Sequence, residues 1–465
     1  MLADFDADNL VDSAAKNEVG NIAGSLDESG IRHPGHRLMT TPVNDTVELL
    51  EGDASTTSAS PDNRTRSDPG YLTLTVGPGG EIDGTDDRTL QAGVDYLNRL
   101  GGGVLRVLPG TYEMGNSLYL HPGIILRGAG EDTVLRKRPS SSTAITRDSD
   151  WYENRVTVAD VSAFHPGCGI MLRSYTDSGD IRECVRDTVV AVDGHELTLS
   201  RRPEKNFWLE DHATAATLFP LVTAAEHVCD VVVEDLVLDG NRNENEEING
   251  NYSGAVFLQQ CHRFHFRRVT ARNYHGDGFS FQICDDMRFD ACRSEDNANL
   301  GFHPGSGSQR PVFSHCISRG NSQGIFFCWG VTDGLVDECD CSYNLDFGAS
   351  IGHRDTDNRV HKTRFKANHK VGLLFRKQGE HRAGHRNLIE HCEFVDNGYA
   401  EDGIAVDVRG ATQDVEILDC CFTDSGDGKQ KIGVRLSPES ARTRLAGNEF
   451  SGLVHDFVDL TAAAD

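Results

Sequence analysis

Between about Gly254 and Leu436 one short pattern returns at a nearly constant interval. Gly254, Gly278, Gly301, Gly324, Gly348 and Gly372 stand 24, 23, 23, 24 and 24 residues apart, and Gly403 and Gly433 extend the series with loops inserted. Each glycine is followed by alternating residues, as in Ala-Val-Phe-Leu, Phe-Ser-Phe-Gln and Leu-Leu-Phe-Arg, and the first and third are nearly always apolar. A period of two marks a strand with one buried face. A second column, Asn273, Asn297, Asn321, Asn344, Asn368 and Asn397, closes the segment before the next glycine. Five residues ahead of it stand Arg268, Cys292, Cys316, Cys339, Thr363 and Cys392.

Each unit therefore holds about three short strands separated by bends. Strands without helical periodicity in so short a repeat bury their apolar side only by stacking on neighbours. The expected architecture is all-β: a right-handed parallel β-helix in which every coil hydrogen-bonds to the next about 4.8 Å away. Such a solenoid absorbs 465 residues as one body. The thirteen cysteines are odd in number, contain no CxxC pair and follow the coil repeat, so they read as small buried hydrophobes with no metal site. Cys292, Cys316 and Cys339 in particular should be reduced and buried.

The formal charge of −27, from 45 basic and 72 acidic residues, argues against a nucleic-acid partner. No run of 18 apolar residues is present, so nothing is expected to span a membrane. The opening MLADFDADNLVDSAAKN has neither a basic start nor an apolar run, and no secretion signal is visible in it.

Taken in order, residues 1–68 form an acidic extension, with a short helix conceivable over Ala3 to Lys16 and a linker over Ser55 to Pro69. Residues 69–139 bring a helix capped at Asp86 or Asp87, carrying Leu90, Val94 and Leu97 on one side and stopped by Gly101 to Gly103. Laid across the first coil, it would hide the apolar end of the solenoid. Residues 140–225 break the repeat, and VTVAD, DTVVAVDGHELTLS and ATLFPLV read as antiparallel strands of an inserted β-subdomain, turning at Asp193-Gly194. Residues 226–465 form the main solenoid and its end.

The run from Gly84 to Lys137, with its order GTDD, GGG, PGTY and GAG, resembles the N-terminal signature of the pectate-lyase-like superfamily of right-handed β-helix proteins. The later coils resemble the parallel β-helix repeats of the same group, and together these stretches cover roughly 300 residues. The resemblance implies a polysaccharide or oligosaccharide partner and an extracellular or periplasmic setting. It does not fix the reaction, because the superfamily holds polysaccharide lyases, glycoside hydrolases, epimerases and tailspikes. Oligomeric state is not legible.

Chemistry is expected on outward positions of the glycine strand and in the turn after it. The second outward position gives Val256, Ser280, His303, Phe326, Ser350, Leu374, Ala405 and Arg435; the fourth includes Gln282, Arg376 and Asp407. With the turn, coils three to seven offer His303, Trp329, His353, Arg354, Arg376, Lys377 and Asp407 on one face. Trp329 would be a platform for a sugar ring. Arg354 and Arg376 would clamp a uronate carboxylate, with His303, Gln282 and Asp277 as further substrate contacts. Neutralising the carboxylate acidifies the C5 proton, which His353, or secondarily Lys377, would remove in a β-elimination. The alternative is a hydrolase with Asp355 and Asp407 as its carboxyl pair, two coils or roughly 9 to 10 Å apart. The polygalacturonase pattern of Asn-Thr-Asp, Gly-His-Gly and Arg-Ile-Lys is absent. A third reading is a glycan-binding, tailspike-like adhesin without turnover. The loop holding Asp239, Asn241, Asn243, Glu244, Glu246 and Glu247 offers oxygen ligands of the kind calcium takes, so calcium is admitted as a cofactor, although a solvated loop is the simpler reading.

Overall fold

A computed structural model describes residues 70–426 and 428–461. The expected helix at Ala3 to Lys16 and the linker lie outside these residues. From Tyr71 onward the chain is one compact unit. Its centre is an eleven-stranded, all-parallel glycine sheet that begins at Leu118–Leu120 and ends at His455–Asp459. Each coil continues from its glycine strand into two further short strands, such as Arg288–Asp290 and Arg293–Glu295, which pair coil to coil in parallel. This three-sided winding is the parallel β-helix that the repeat demands.

Register shows which columns are real. Phe279 lies opposite Phe302, Phe302 opposite Ile325, Ile325 opposite Ala349 and Ala349 opposite Leu373, so Gly278, Gly301, Gly324, Gly348 and Gly372 stack. Gly254 does not join them, because it pairs with Asp277 and leaves Ala255 level with Gly278. Gly403 is also displaced: Val371 pairs with Ile404, which levels Ala405 with Gly372. Val256 and Ala405 therefore leave the outward row assigned to them by spacing alone. At Gly348 a Cβ would stand 2.6 Å from the carboxamide of Asn368 and from the carbonyl of Gly372, so a side chain there would break both the bend and the ladder.

The asparagine column begins at Asn297, not Asn273. Asn273 is exposed with φ 51°, and Tyr274 takes the interior place, donating its amide to Asn297 Oδ1 at 2.9 Å. From there each carboxamide reaches back to the preceding coil. Asn344 Oδ1 accepts from the Asn321 amide (3.3 Å), and Asn344 Nδ2 donates to the Ser318 carbonyl (3.1 Å). Asn368 and Asn397 repeat this, and Gln430 closes the series. The cysteine column does the same with sulfur: Cys316 N–H points at Cys339 Sγ and Cys392 N–H at Cys420 Sγ, both at 3.4 Å. Cys292, Cys316 and Cys339 are free and buried.

Inside the coils, aromatic rings stack at the coil spacing. Phe266, Phe289 and Phe313 sit 5.1 Å apart, and Phe365, Phe394, Phe422 and Phe450 sit 4.9 Å apart. At the N-terminal end the helix Asp87–Arg99 is capped by Asp86, which accepts from Thr89 N, and buries Leu90, Val94 and Leu97. Gly93 admits it closely, since a Cβ there would press on Val76 and Leu105. Six antiparallel strands between Ser142 and Ala216 form a separate sheet with its own small core, which includes Val156, Leu172, Val189 and Phe207. The segment ATLFPLV is divided: Thr214–Ala216 closes this subdomain, whereas Val222–Ala224 belongs to the glycine sheet.

Asn344→Ala should test the bend ladder. It strands the Asn321 N–H in the interior, at about 1 to 3 kcal/mol, and leaves the Ser318 C=O with the Ser342 amide as its remaining donor. Urea unfolding should show the loss, and hydrogen exchange should show the Asn321 amide among those that lose protection.

Candidate functional site

The outward row of the glycine sheet runs from Phe257 through Ser280, His303, Phe326, Ser350 and Leu374 to Asp407 and Arg435. Its most chemically distinctive member is His303, which meets Asp277 at the start of the neighbouring strand. His303 Nδ1 donates to Asp277 Oδ2 at 2.7 Å, and the Leu300 amide donates to Asp277 Oδ1 at 3.0 Å. A carboxylate can only accept here, so Nδ1 carries a proton, and in the neutral ring Nε2 keeps its lone pair. Nε2 is buried and has no hydrogen-bond partner among the described residues. Ser280 lies beside the pair, but its hydroxyl donates to the Gly250 carbonyl at 2.6 Å and is 3.5 Å from the same Nδ1. The three residues are therefore not a nucleophilic triad, in which the serine must face the other ring nitrogen. The loop carrying Gly250 closes over Asp277 so tightly that a Cβ at Gly250 would overlap the carboxylate.

The floor of this face is formed by side chains that keep a thin exposed edge: His303 at 3%, His353 at 4%, Phe326 at 6%, and Gln282 and Arg376 at 7%. His303 meets Phe326 edge to face at 5.5 Å, and the Arg376 guanidinium lies 4.2 Å over the other end of this apolar step.

Asp355 and Arg376 take roles different from those expected. Arg376 is a buried brace, donating to Ser350 Oγ (2.8 Å), the Phe327 carbonyl (2.6 Å) and Asp355 Oδ2 (3.1 Å). It lies over Gly352, where a Cβ would stand 3.0 Å from it. Asp355 is fully buried and accepts from the amides of Gly330, Val331 and Gly352. Its corner position lines up with Ser308 and Cys284, each of which takes an amide from the coil before. Asp355 is thus a corner residue of the solenoid, and Arg376 neutralises it instead of clamping a ligand. Burial pushes the Asp355 carboxyl up to about 6, against the lowering effect of Arg376 and the three amides.

The other assigned residues divide between brace and rim. Asp407 is buried, pairs with Arg409 (2.6 Å) and Arg435 (2.7 Å), and faces Leu374 instead of joining the row of Arg376. With Asp355 and Asp407 both occupied, the carboxyl pair expected of a hydrolase is not present as two solvent-facing acids. His353 stacks on Trp329 at 4.8 Å with 26° between the rings, and Arg354 and Arg382 each hold a guanidinium 5.7 Å from that indole. The platform face of Trp329 and the ring of His353 are thus engaged with each other. His353 and Arg354 are held at φ 51° and 69°, a costly conformation for two consecutive non-glycine residues. Arg354, Lys377 and Arg382 are exposed and give the rim positive charge. Arg382 escaped the sequence reading; its one signal is the lengthened interval from Asn368 to Asn397, which marks an inserted turn.

The Asp239 loop is internally paired. Asp239 accepts from Arg272 Nε and the Asn241 amide, Glu244 from Asn241, and Glu246 from Arg173. Among the described residues no three or more His, Cys, Asp or Glu side chains converge on one point, and the calcium expectation gains no geometric basis from this loop.

The Asp355 corner makes a pH prediction. Its folded carboxyl titrates near 6 and its unfolded one at the ordinary 3.8, so the folded state holds an extra proton between those values. The stability this group contributes is therefore fully present below about pH 3.8 and is lost as pH rises through about 6. The stability of the wild type relative to Asp355→Asn, read from urea midpoints, should fall between about pH 4 and about pH 7. A difference that grows with pH would mean that Arg376 keeps the carboxylate ionised throughout.

Comparison with known proteins agrees with the winding. The family described as "Right handed beta helix region" matches residues 253–407. The chain is similar to the A-module of the Azotobacter vinelandii mannuronan C-5 epimerase AlgE6, at 14% identity over 80% of this chain and 91% of that one, with a TM-score of 0.51. The AlgE4 A-module from the same organism gives 14% identity over 83% and 95%, with a TM-score of 0.50. PfbA, a surface adhesin of Streptococcus pneumoniae, gives 12% identity over 83% and 91%, also at 0.50. No curated protein sequence matches the chain significantly. By its register, its repeat and these likenesses, the chain has the fold of a right-handed parallel β-helix.

Proposed function

We propose that the outward face of the glycine sheet binds a uronate-containing glycan and removes the proton at C5, next to the carboxylate, with His303 as the base. The observation that carries this reading is the Asp277–His303 pair, with the proton fixed on Nδ1 and Nε2 left unpartnered on the floor of the face. In the step, the C5–H bond breaks, the proton passes to His303 Nε2, and the electron pair moves into the carboxylate. The exposed cations Arg354, Lys377 and Arg382 at the rim are the groups available to stabilise that developing charge. Expulsion of the oxygen at C4 then gives elimination; return of a proton to the opposite face gives epimerisation. The likeness to mannuronan C-5 epimerase modules supports the choice of this shared first step. His303 takes the place of His353 and Lys377 as base because the Asp277 carboxylate fixes its tautomer.

A second reading, glycan binding without turnover, is favoured by the burial of the pair, with Asp277 at 0% exposure, and by the likeness to an adhesin. The two differ in one experiment. With an oligouronate that the wild type turns over, His303→Gln should lower kcat by about 100-fold or more, and Asp277→Asn should lower it too by releasing the tautomer, while binding persists. Full activity in both variants, with normal folding, would remove His303 from the chemistry. Binding of the oligouronate by the wild type with neither unsaturated nor epimerised product would favour the binding reading.

A further inference from the structure

Where the inserted subdomain meets the first coils, a cleft of about 500 Å³ opens between the strand Ile181–Asp193, the segment after Leu199 and the start of the glycine sheet. Its walls carry Arg186, Arg201, Arg202 and Lys205, against Glu204 and Glu226. This is a local surplus of cations on a chain whose net charge is −27. Lys205 pairs with Glu183, Glu226 accepts from Gln259, and the Arg201 side chain donates to the Arg186 carbonyl. That leaves Arg186 and Arg202: among the described residues neither guanidinium has a hydrogen-bonded carboxylate or carbonyl partner.

Arg186 is the more telling of the two. Its guanidinium lies 3.9 Å over the Phe257 ring, and its Nη1 is buried with no hydrogen-bond partner among the described residues. Burial lowers its pKa, and no nearby carboxylate opposes that. A desolvated cation with an open donor costs stability unless something compensates it, and the ring compensates the charge but not the donor. Phe257 belongs to the outward row, level with Ser280 and two coils, about 10 Å, from His303. The pair of Arg186 over Phe257 at one end repeats the pair of Arg376 over Phe326 further along, but Arg376 has Asp355 as its counter-ion and Arg186 has none.

We propose that this cleft is an anion subsite at the end of the glycan face, in which Arg186 and Arg202 hold a carboxylate or sulfate ester carried on a sugar about two residues from the one at His303. A planar guanidinium offers such a group two parallel donors, and the Phe257 ring keeps Arg186 in place. The inference rests on the glycan reading above and adds to it a requirement for charge at a fixed distance from the reacting sugar.

Titration calorimetry of the full chain separates the two claims, using an oligouronate hexamer, its carboxyl-reduced neutral counterpart and inorganic sulfate. The wild type should bind the acidic hexamer at least tenfold more tightly than the neutral one. Arg186→Gln and Arg202→Gln should each remove most of that difference and leave the neutral hexamer unaffected. Arg202 is exposed, so its variant remains informative if Arg186→Gln fails to fold. Equal binding of both hexamers by the wild type, or an undiminished difference in Arg202→Gln, would overturn the subsite and leave the glycan face intact. Displacement of the hexamer by sulfate at concentrations no higher than the hexamer's own would reduce the cleft to a plain anion site and also overturn it. Failure of either hexamer to bind would overturn the glycan reading and the subsite with it.

Discussion

Every bend of a β-helix leaves backbone amides that point along the axis with no strand partner, and burying them unpaired would cost more than the bend could sustain. This chain answers with a side chain at each corner that reaches back one coil. Asparagine carboxamides do it at the bend before the glycine strand. Thiols and Thr363 do it between the two short strands, where Cys339 N–H points to Thr363 Oγ1. At the third corner Cys284, Ser308 and Asp355 share the task, and Asn358 and Asn387 continue it a few residues on. Stacked phenylalanines fill the space between, but the corners set the coil length and hence the 23- to 24-residue interval.

The same constraint decides what is left for chemistry. A polar residue next to a bend is claimed by the fold before it is available to a ligand. Asp355 is claimed in this way, and Arg376 follows it inward to balance the charge. Asp407 is held between two arginines. Asp277, at the start of its strand, takes the Leu300 amide of the next coil with one oxygen and the Nδ1–H of the outward His303 with the other, which leaves one ring nitrogen of that histidine open among the described residues. The loop over Gly250 presses on Asp277 from outside, so the pair is rigid as well as buried.

The fold was legible because period, column and bend chemistry all agree in the sequence. Five stacked glycines and the thiol column could be read directly. What could not be read was register at the ends. Ala255 and Ala405 occupy the glycine level where the glycines themselves are one or two residues off, and that small slip moved Asp407 to a different row. Tyr274 displaced Asn273 for a related reason, since its phenol reaches the Phe219 carbonyl across the coil. The candidate site was legible as a face, not as a mechanism. Spacing places His353, Arg376 and Asp355 together but cannot show that Trp329 takes the imidazole and the corner takes the carboxylate. Arg186 was invisible for a different reason: its significance lies in a contact with Phe257 across 71 residues, between the subdomain and the solenoid.

The account stands or falls on proton removal at C5. The direct measurement is solvent exchange: the wild type incubated with an oligouronate in deuterium oxide, with the sugar followed by proton and deuterium magnetic resonance. The account predicts either deuterium appearing at C5 or loss of the C5 proton together with a new double bond, in both cases abolished by His303→Gln. A bound oligouronate whose C5 proton persists unchanged, or whose chain is cut with that proton retained, would contradict it.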